Sequence, residues 1–158
     1  MLGRVAYGCA HQAPLGPRAV PDLQLPLGVI GDQVWEERWY SATPVQTVRH
    51  GALRCRHNGH VLWGCFALPL PVGQVCAEDV HARYLELFAL LQQTGFGHLW
   101  RIWNFIPHIN AVNASGLETY RDFNLGRARA FADAFDQGMA PMPWATRHMP
   151  AATGIGCR

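Results

Sequence analysis

The sequence predicts an α+β fold in which a mixed β-sheet carries two helices packed on one face. Apolar and aromatic residues make up 49% of the 158 residues and charged residues only 15%, as in a folded globular chain. Two segments place apolar residues at helical spacing, and several shorter ones have the composition of strands. A single domain of this length buries enough surface to fold without disulfides or metal ions.

The N-terminal segment is rich in proline and glycine. Its four prolines, at positions 14, 17, 21 and 26, indicate that residues 1–33 form a loop segment, apart from a short strand over residues 4–7. Residues 34–40 are predicted to form a second short strand.

A β-hairpin is the clearest local signal. Residues 45–56 and 60–68 are two strand-like runs, joined through His57-Asn58-Gly59-His60. The Asn-Gly pair predicts a type I′ turn, which needs positive φ at both central residues.

The second half alternates helices and strands. The apolar spacing predicts a helix over residues 78–94 that Gly95 stops, and then a strand over residues 98–105. A second helix is predicted to begin near Ser115, with Glu118 completing a capping box, and to run to about Phe135. A small apolar strand, residues 151–158, comes last, and its abrupt ending is expected of a longer parent protein.

Charge and cysteine content exclude several function classes. The 13 basic residues, all arginine, and 11 acidic residues leave a net charge of +2, too weak to favour nucleic acid or an anionic membrane as partner. Without lysine, no side chain can form a Schiff base or complete a P-loop. Five cysteines without Cys-x-x-Cys spacing favour a reduced, cytoplasmic setting. No run is long and apolar enough for a membrane span, and no histidine spacing is typical of zinc.

The first candidate cluster lies at the end of the predicted strand. Residues 101–110 place Arg101, Asn104 and several aromatic side chains together. If Ile102 faces the core, alternation puts Arg101 and Trp103 on the opposite face. The alternative is structural: an arginine lying over an aromatic ring, with asparagines capping the loop.

The second candidate cluster lies on the second helix. Tyr120, Asn124 and Arg127 fall at i, i+4 and i+7 and therefore share a face. A tyrosine and an arginine on one face could hold a carboxylate. The alternative is a core tyrosine and an arginine paired with a surface acid. Gly126 costs about 1 kcal/mol in a helix interior, which suggests a close backbone approach.

These segments resemble a known family. RIWNFIPHIN over residues 101–110, GLETYRDFNLGR over residues 116–127 and PAATGIG over residues 150–156 are similar to the chorismatases. Chorismatases are bacterial chorismate-cleaving enzymes of secondary metabolism, including pigment biosynthesis, and family members are about twice this length. The chain is therefore identified as one N-terminal chorismatase-like domain, residues 1–158, without the C-terminal catalytic half. His108 departs from the family, where an acidic residue is expected.

The resemblance implies a fold and a reaction. The fold is like that of RidA/YjgF and chorismate-mutase-like proteins, with three units around an axis as a trimer or pseudo-trimer. A carboxylic acid protonates the enolpyruvyl methylene of chorismate, and the ether then breaks to release pyruvate and a hydroxybenzoate or dihydroxycyclohexadiene carboxylate. No cofactor or metal is implied, and the general acid is expected beyond Arg158, in the C-terminal half.

The resemblance also implies which residues of this half approach chorismate. Tyr120 and Arg127 are the first candidates for substrate binding, and Arg101 and Asn104 are second candidates with a more structural role. The isolated half is expected to be inactive.

Two other functions are compatible with the residues. The chain could be a free-standing RidA-like domain that hydrolyses imines or binds a small acid between subunits. It could also be a non-catalytic domain for binding small acids or for assembly.

Overall fold

The computed structural model describes residues 1–8, 22–25, 27, 35–69, 71, 73–138 and 150–157. The described residues divide into two compact units, Met1–Ala67 and Leu68–Cys157. The first unit contains strands only, and the second contains both helices and the last two strands.

The first unit consists of two three-stranded sheets. Its strands are β1 (Gly3–Tyr7), β2 (Asp22–Leu25), β3 (Trp35–Trp39), β4 (Gln46–His50), β5 (Leu53–His57) and β6 (Leu62–Cys65). In the first sheet, β1 lies in the middle, parallel to β2 and antiparallel to β3. In the second, β4, β5 and β6 form an antiparallel meander. Leu53 and Cys55 of β5 are almost fully buried.

The second unit packs two helices beside a two-stranded parallel sheet. Its elements are α1 (Ala77–Thr94), β7 (Arg101–Pro107), α2 (Thr119–Asp136) and β8 (Ala151–Cys157). Arg101 pairs with Ala151 at one end of the β7–β8 ladder and Pro107 with Cys157 at the other.

The core of the second unit is aromatic. Tyr84 and Phe88 of α1 meet Phe131 of α2, with ring centroids 4.9 to 6.1 Å apart. These tilted and edge-on arrangements are the favoured ones for aromatic pairs. Ile102 of β7 packs against this cluster, so one face of the β7–β8 sheet is turned toward the helices.

The two helices approach closely at Gly126 of α2. A Cβ atom there would overlap the backbone carbonyl of Ala77 at the start of α1. One turn earlier on α2, the buried Asp122 carboxylate accepts a hydrogen bond from the Cys76 N–H at 2.6 Å. The predicted close approach at Gly126 is thereby confirmed.

Two glycines of β8 leave room for two neighbouring side chains. One is Tyr120, at the start of α2, and the other is Ile109, in the segment before α2. A Cβ at Gly154 would lie 2.8 Å from Cε2 of Tyr120, and one at Gly156 would lie 2.7 Å from Cγ2 of Ile109. The Tyr120 N–H also donates to the Ile109 carbonyl, at 3.0 Å. The start of α2 therefore rests directly on the backbone of β8.

The prediction of an α+β fold is confirmed. The first helix begins one residue before the predicted start and ends at Thr94, as predicted. Gly95 ends α1 in the left-handed conformation at φ 75°, as predicted. The single mixed sheet is not observed, because ladders in the described residues run only within three separate small sheets.

The predicted strand over residues 45–56 is wrong, because it is two strands. Gly51 adopts φ 55° and reverses the chain between β4 and β5. The type I′ turn is also wrong, since Asn58 does not have positive φ. Its Oδ1 instead accepts hydrogen bonds from the N–H groups of His60 and Val61, at 3.0 and 2.9 Å.

Two further boundaries differ from the sequence-based expectation. The loop segment 1–33 contains strand β2, because Leu25 is buried and the segment pairs with β1. The capping box at Ser115 is not formed, since Gly116 at φ 81° cannot be helical. Asn113 instead holds this turn by accepting from the Ser115 hydroxyl at 2.8 Å, and α2 begins at Thr119.

Candidate functional site

A polar cluster lies where both helices meet the inner face of β7. Each of three elements contributes one side chain: Tyr84 from α1, Asn104 from β7 and Arg127 from α2. Tyr84 is only 2% exposed, whereas Asn104 and Arg127 are half-buried. The cluster therefore joins the aromatic core to the surface of the unit.

Two of these side chains are joined by a hydrogen bond. The Tyr84 hydroxyl donates to Asn104 Oδ1 at 2.8 Å. Asn104 Nδ2 faces the Thr153 carbonyl of β8 at 3.4 Å. A backbone carbonyl can only accept, so this Asn104 amide orientation satisfies both the Tyr84 hydroxyl and the Asn104 side chain.

The Tyr84 phenol stays neutral in this environment. Burial raises its pKa to about 12, although the nearby charge of Arg127 acts in the opposite direction. At neutral pH the hydroxyl therefore keeps its proton and donates it to Asn104.

Arg127 carries a positive charge that no described carboxylate balances. Its Cζ atom lies 5.4 Å from the centroid of the Phe131 ring. Its Nε–H is buried without an acceptor within the described ranges, and the ion pairs found there involve other arginines. The alternative of an arginine paired with a surface acid is therefore not observed.

Tyr120 lies over the strand position next to Asn104. Its ring rests on Gly154, which pairs with Asn104 across the β7–β8 ladder. Paired residues in a ladder face the same side, so Tyr120 and Asn104 lie on the same face of this sheet. The Tyr120 side chain is 40% exposed, so it is accessible to a ligand.

Arg101 lies on the other face of β7. Its guanidinium is 5.4 Å from the centroid of the Trp103 ring, and its Nη2 donates to the Thr153 hydroxyl at 2.6 Å. Alternation along the strand correctly predicts that Arg101 and Trp103 share this face. The structure thus brings Asn104, Tyr120 and Arg127 to one face and places Arg101 apart from them.

Tyr84 is the member that the sequence-based search missed. Its helical spacing identifies it only as part of the apolar stripe of α1. A buried tyrosine hydroxyl nevertheless needs a hydrogen-bond partner, and that requirement was the available signal.

Among the described residues of the second unit, Cys76 and His108 are not hydrogen-bonded to this cluster. Burial and a hydrogen bond to Asp122 raise the pKa of the Cys76 thiol to about 12. No three His, Cys, Asp or Glu side chains of the described residues come together to hold a metal ion. His108 is exposed and adopts φ 48°, a conformation in which Asn, Asp and His are several-fold enriched. Among the described helices, none is both long and apolar enough to cross a membrane.

The fold and this cluster define an α+β protein with an arginine-centred polar cluster between two helices and a small sheet. Residues 37–158 match the family model described as chorismatase FkbO/Hyg5-like, N-terminal. The chain belongs to this chorismatase family, as the resemblance of its motifs predicts.

Individual relatives are similar in sequence to this chain over all or nearly all of its length. A 3-hydroxybenzoate synthase of Streptomyces hygroscopicus is 32% identical over 161 residues, covering 100% of this chain and 44% of that protein. A chorismatase of Streptomyces rapamycinicus is 33% identical over 156 residues, covering 99% of this chain and 44% of its relative. A crystal structure of a chorismatase matches with a TM-score of 0.79 at 32% identity, over 99% of this chain and 44% of that one. This chain thus spans less than half the length of these relatives.

Proposed function

We propose that this chain is the N-terminal domain, residues 1–158, of a chorismatase. The complete protein cleaves chorismate to pyruvate plus a hydroxybenzoate or a dihydroxycyclohexadiene carboxylate. Similarity to chorismatases over the whole chain supports the reaction. One observation supports a site for an acidic substrate: the charge of Arg127 has no carboxylate partner among the described residues.

The substrate-binding residues that this half contributes are Arg127, Tyr120 and Asn104. A guanidinium offers a planar fork that matches a carboxylate, and chorismate has two carboxylates. Tyr120 adds a hydroxyl from the same helix, and Asn104 supports the cluster from β7. Arg101 has a structural role, since it is stacked on Trp103 and bonded to Thr153 on the other face of β7.

The proton for the reaction comes from the part of the protein that corresponds to the remaining length of the relatives. A carboxylic acid with a raised pKa delivers it to the enolpyruvyl methylene, and the ether bond then breaks. We therefore assign to this chain the task of holding and orienting a carboxylate, and the chemical step to its C-terminal counterpart. No cofactor takes part in this scheme.

We further assign the protein to the RidA/YjgF-like fold group. The order of elements from β4 to β8 supports this, because a β-meander is followed by helix, strand, helix and strand. In this scheme three such units assemble around an axis, as a trimer or a pseudo-trimer, in the cytoplasm.

The test is pyruvate release from chorismate, followed through lactate dehydrogenase, with this chain and with a chain extended past Arg158. We expect activity only in the extended chain. In that chain Arg127→Gln is expected to lower kcat/KM by at least tenfold, because a charged hydrogen bond to substrate is lost. Arg121→Gln is the matched control on the same helix, since Arg121 is 77% exposed and is paired only loosely with Glu118.

The other outcomes would contradict specific parts of the proposal. Two folded chains without any pyruvate release would contradict the chorismatase function and leave imine hydrolysis or acid binding to be assayed. Turnover by the short chain alone would mean that its own acids supply the proton. Equal effects of the two arginine substitutions would contradict the assignment of Arg127 as a substrate-binding residue.

A further inference from the structure

We propose that the outer edge of β3 is an interface at which a second copy of this chain adds its own β3, antiparallel, about a two-fold axis at Glu37. The interface does not depend on the proposed function, because it lies in the first unit and involves no ligand. In the dimer the two three-stranded sheets join into one six-stranded sheet.

The first argument is that β3 is an exposed edge strand. It pairs with β1 on one side, and within the described ranges no strand pairs with its other side. All five of its residues are solvent-exposed, and Trp35 and Trp39 are 61% and 40% exposed. Such an edge presents backbone N–H and C=O groups with which another strand can pair.

The second argument is that β3 is complementary to itself when two copies are antiparallel. A two-fold axis perpendicular to the sheet keeps each residue on its own face, so a residue can lie opposite itself but not opposite its next neighbour. With Glu37 on the axis, Glu36 of each copy lies opposite Arg38 of the other. Trp35 in the same way lies opposite Trp39. Opposite charges and aromatic pairs are both favourable directly across an antiparallel ladder.

The neighbouring registers lack this complementarity. An axis at Glu36 places that carboxylate opposite its own copy and Trp35 opposite Glu37, and like charges directly opposite are destabilising. An axis at Arg38 likewise places two guanidinium groups opposite each other. The Glu37 register has one like-charge pair, on its axis, against two pairs of opposite charge. The Glu37 carboxylate accepts from the Tyr7 hydroxyl of β1 at 3.0 Å, which draws it away from the outer edge.

The third argument is that the charged side chains of this edge are held in place before a second copy arrives. Glu36 is bonded to Arg4 of β1, and the Arg38 Nε–H donates to Glu36 at 2.9 Å. Arg38 keeps 53% of its side chain exposed. Side chains that are already ordered lose less rotamer entropy on association. The apolar contact comes mainly from two tryptophans of each copy, so the area is small and the expected dimer is weak.

The experiment is sedimentation velocity of this chain over about 10 to 500 µM, because small interfaces associate weakly. Arg38→Glu and Glu36→Arg are each expected to raise the dimer dissociation constant at least tenfold, since like charges then lie opposite each other. An equimolar mixture of the two variants is expected to dimerise again, because positions 36 and 38 then carry opposite charges at both contacts. Arg49→Glu, on the edge strand β4 of the other sheet, is the control and should leave the dissociation constant within twofold. A monomer at every concentration, or a mixture of folded variants that stays monomeric, would overturn the proposal.

A cysteine on the axis tests the register and leaves Glu36 in place, which covers the case in which Glu36→Arg does not fold. Oxidised Glu37→Cys is expected to form a disulfide-linked dimer beyond the wild-type background, since directly opposite Cβ atoms lie about 4.5–5.5 Å apart. Trp35→Cys is the matched control and should not link, because its two copies are about 13 Å apart along the ladder. Equal cross-linking of the two variants would overturn the proposed register.

The chain extended past Arg158 distinguishes a second copy from another occupant of this edge. Dimers in both forms that Arg38→Glu weakens would support the proposal. A dimer of this chain that is lost on extension would mean that the downstream part covers β3, and would overturn a second copy as the occupant.

Discussion

Asp122 is a buried carboxylate that stabilises the start of a neighbouring helix. It is 1% exposed, and its Oδ2 accepts from the N–H of Cys76, the residue that caps α1. The carboxylate lies near the positive end of the α1 dipole, where a negative charge is favoured. The same carboxylate helps to raise the pKa of the Cys76 thiol to about 12, so that thiol stays protonated at neutral pH.

We predict that Asp122→Ala lowers the free energy of unfolding by about 2–3 kcal/mol, because it leaves a buried N–H without its acceptor. Urea denaturation followed by circular dichroism measures the change. Asp133→Ala on the same helix is the control, with an expected loss below about 1 kcal/mol, because Asp133 is 45% exposed and bonds to His81 near the surface. Equal losses for the two variants would contradict the capping role.

Glu36 of β3 is the acidic centre of a small charge network. It is bonded to Arg4 of β1 and lies 2.7 Å from Arg38. Hydrogen bonds from Arg4 and Arg38 lower the pKa of Glu36 from its ordinary value of 4.5 to about 2. A depressed carboxyl pKa stabilises the fold above pH 4.5, and this contribution is lost as the pH falls toward 2.

We therefore predict that the wild-type chain loses more stability than Glu36→Gln between pH 4.5 and pH 2. At neutral pH the variant should be less stable by about 1 kcal/mol, a modest value because water screens the network. Thermal melts at several pH values measure both effects. Glu37→Gln on the same strand is the control, because Glu37 accepts from the uncharged Tyr7 hydroxyl instead of an arginine. Parallel pH profiles for wild type and Glu36→Gln would refute this assignment.

At the scale of elements, the crossing of α1 and α2 depends on the absence of one side chain. Gly126 lets the backbone of α2 touch the carbonyl of Ala77, and no rotamer change can make room for a methyl group there. The helices are then held together on the core side by Phe88 and Phe131 and near the surface by His81 and Asp133, 2.7 Å apart.

We predict that Gly126→Ala destabilises the chain by about 1–3 kcal/mol through overpacking, despite a gain of about 1 kcal/mol in helix propensity. Chemical denaturation measures the sign as well as the size of the change. Gly97→Ala is the control and should be close to neutral, since no atom lies within 4 Å of its added Cβ. A stabilised Gly126→Ala would show that propensity outweighs the close approach.

At the scale of the whole molecule, the sequence predicts long periodic elements better than short ones. The helix over residues 78–94 follows from its apolar spacing and Gly95. Strand β2 does not follow from any periodic pattern, because its four residues acquire strand conformation only by pairing with β1. The turn at Gly51 lies inside a continuous strand-like composition, and glycine alone does not indicate whether a strand bends or reverses there.

The candidate site was predictable only in part, for a similar reason. Helical spacing places Tyr120 and Arg127 on one face of α2, and strand alternation gives the shared face of Arg101 and Trp103. The meeting of Arg127 with Tyr84 and Asn104 depends on how three elements pack, which no local pattern contains. The motifs themselves correctly indicate the chorismatase family.

The parallel pairing of β7 with β8 has a consequence for synthesis on the ribosome. Between these two strands lie the turn at Asn113 and the whole of α2, so β7 emerges more than 40 residues before its partner can join it. At a synthesis rate of about 5–20 residues per second, β7 of the nascent chain stays unpaired with β8 for several seconds. During that interval Tyr120 has no glycine backbone to rest on and Asn104 has no Thr153 carbonyl. The polar cluster of Tyr84, Asn104 and Arg127 is thus completed late in translation, and a chaperone that shields β7 would act before β8 arrives.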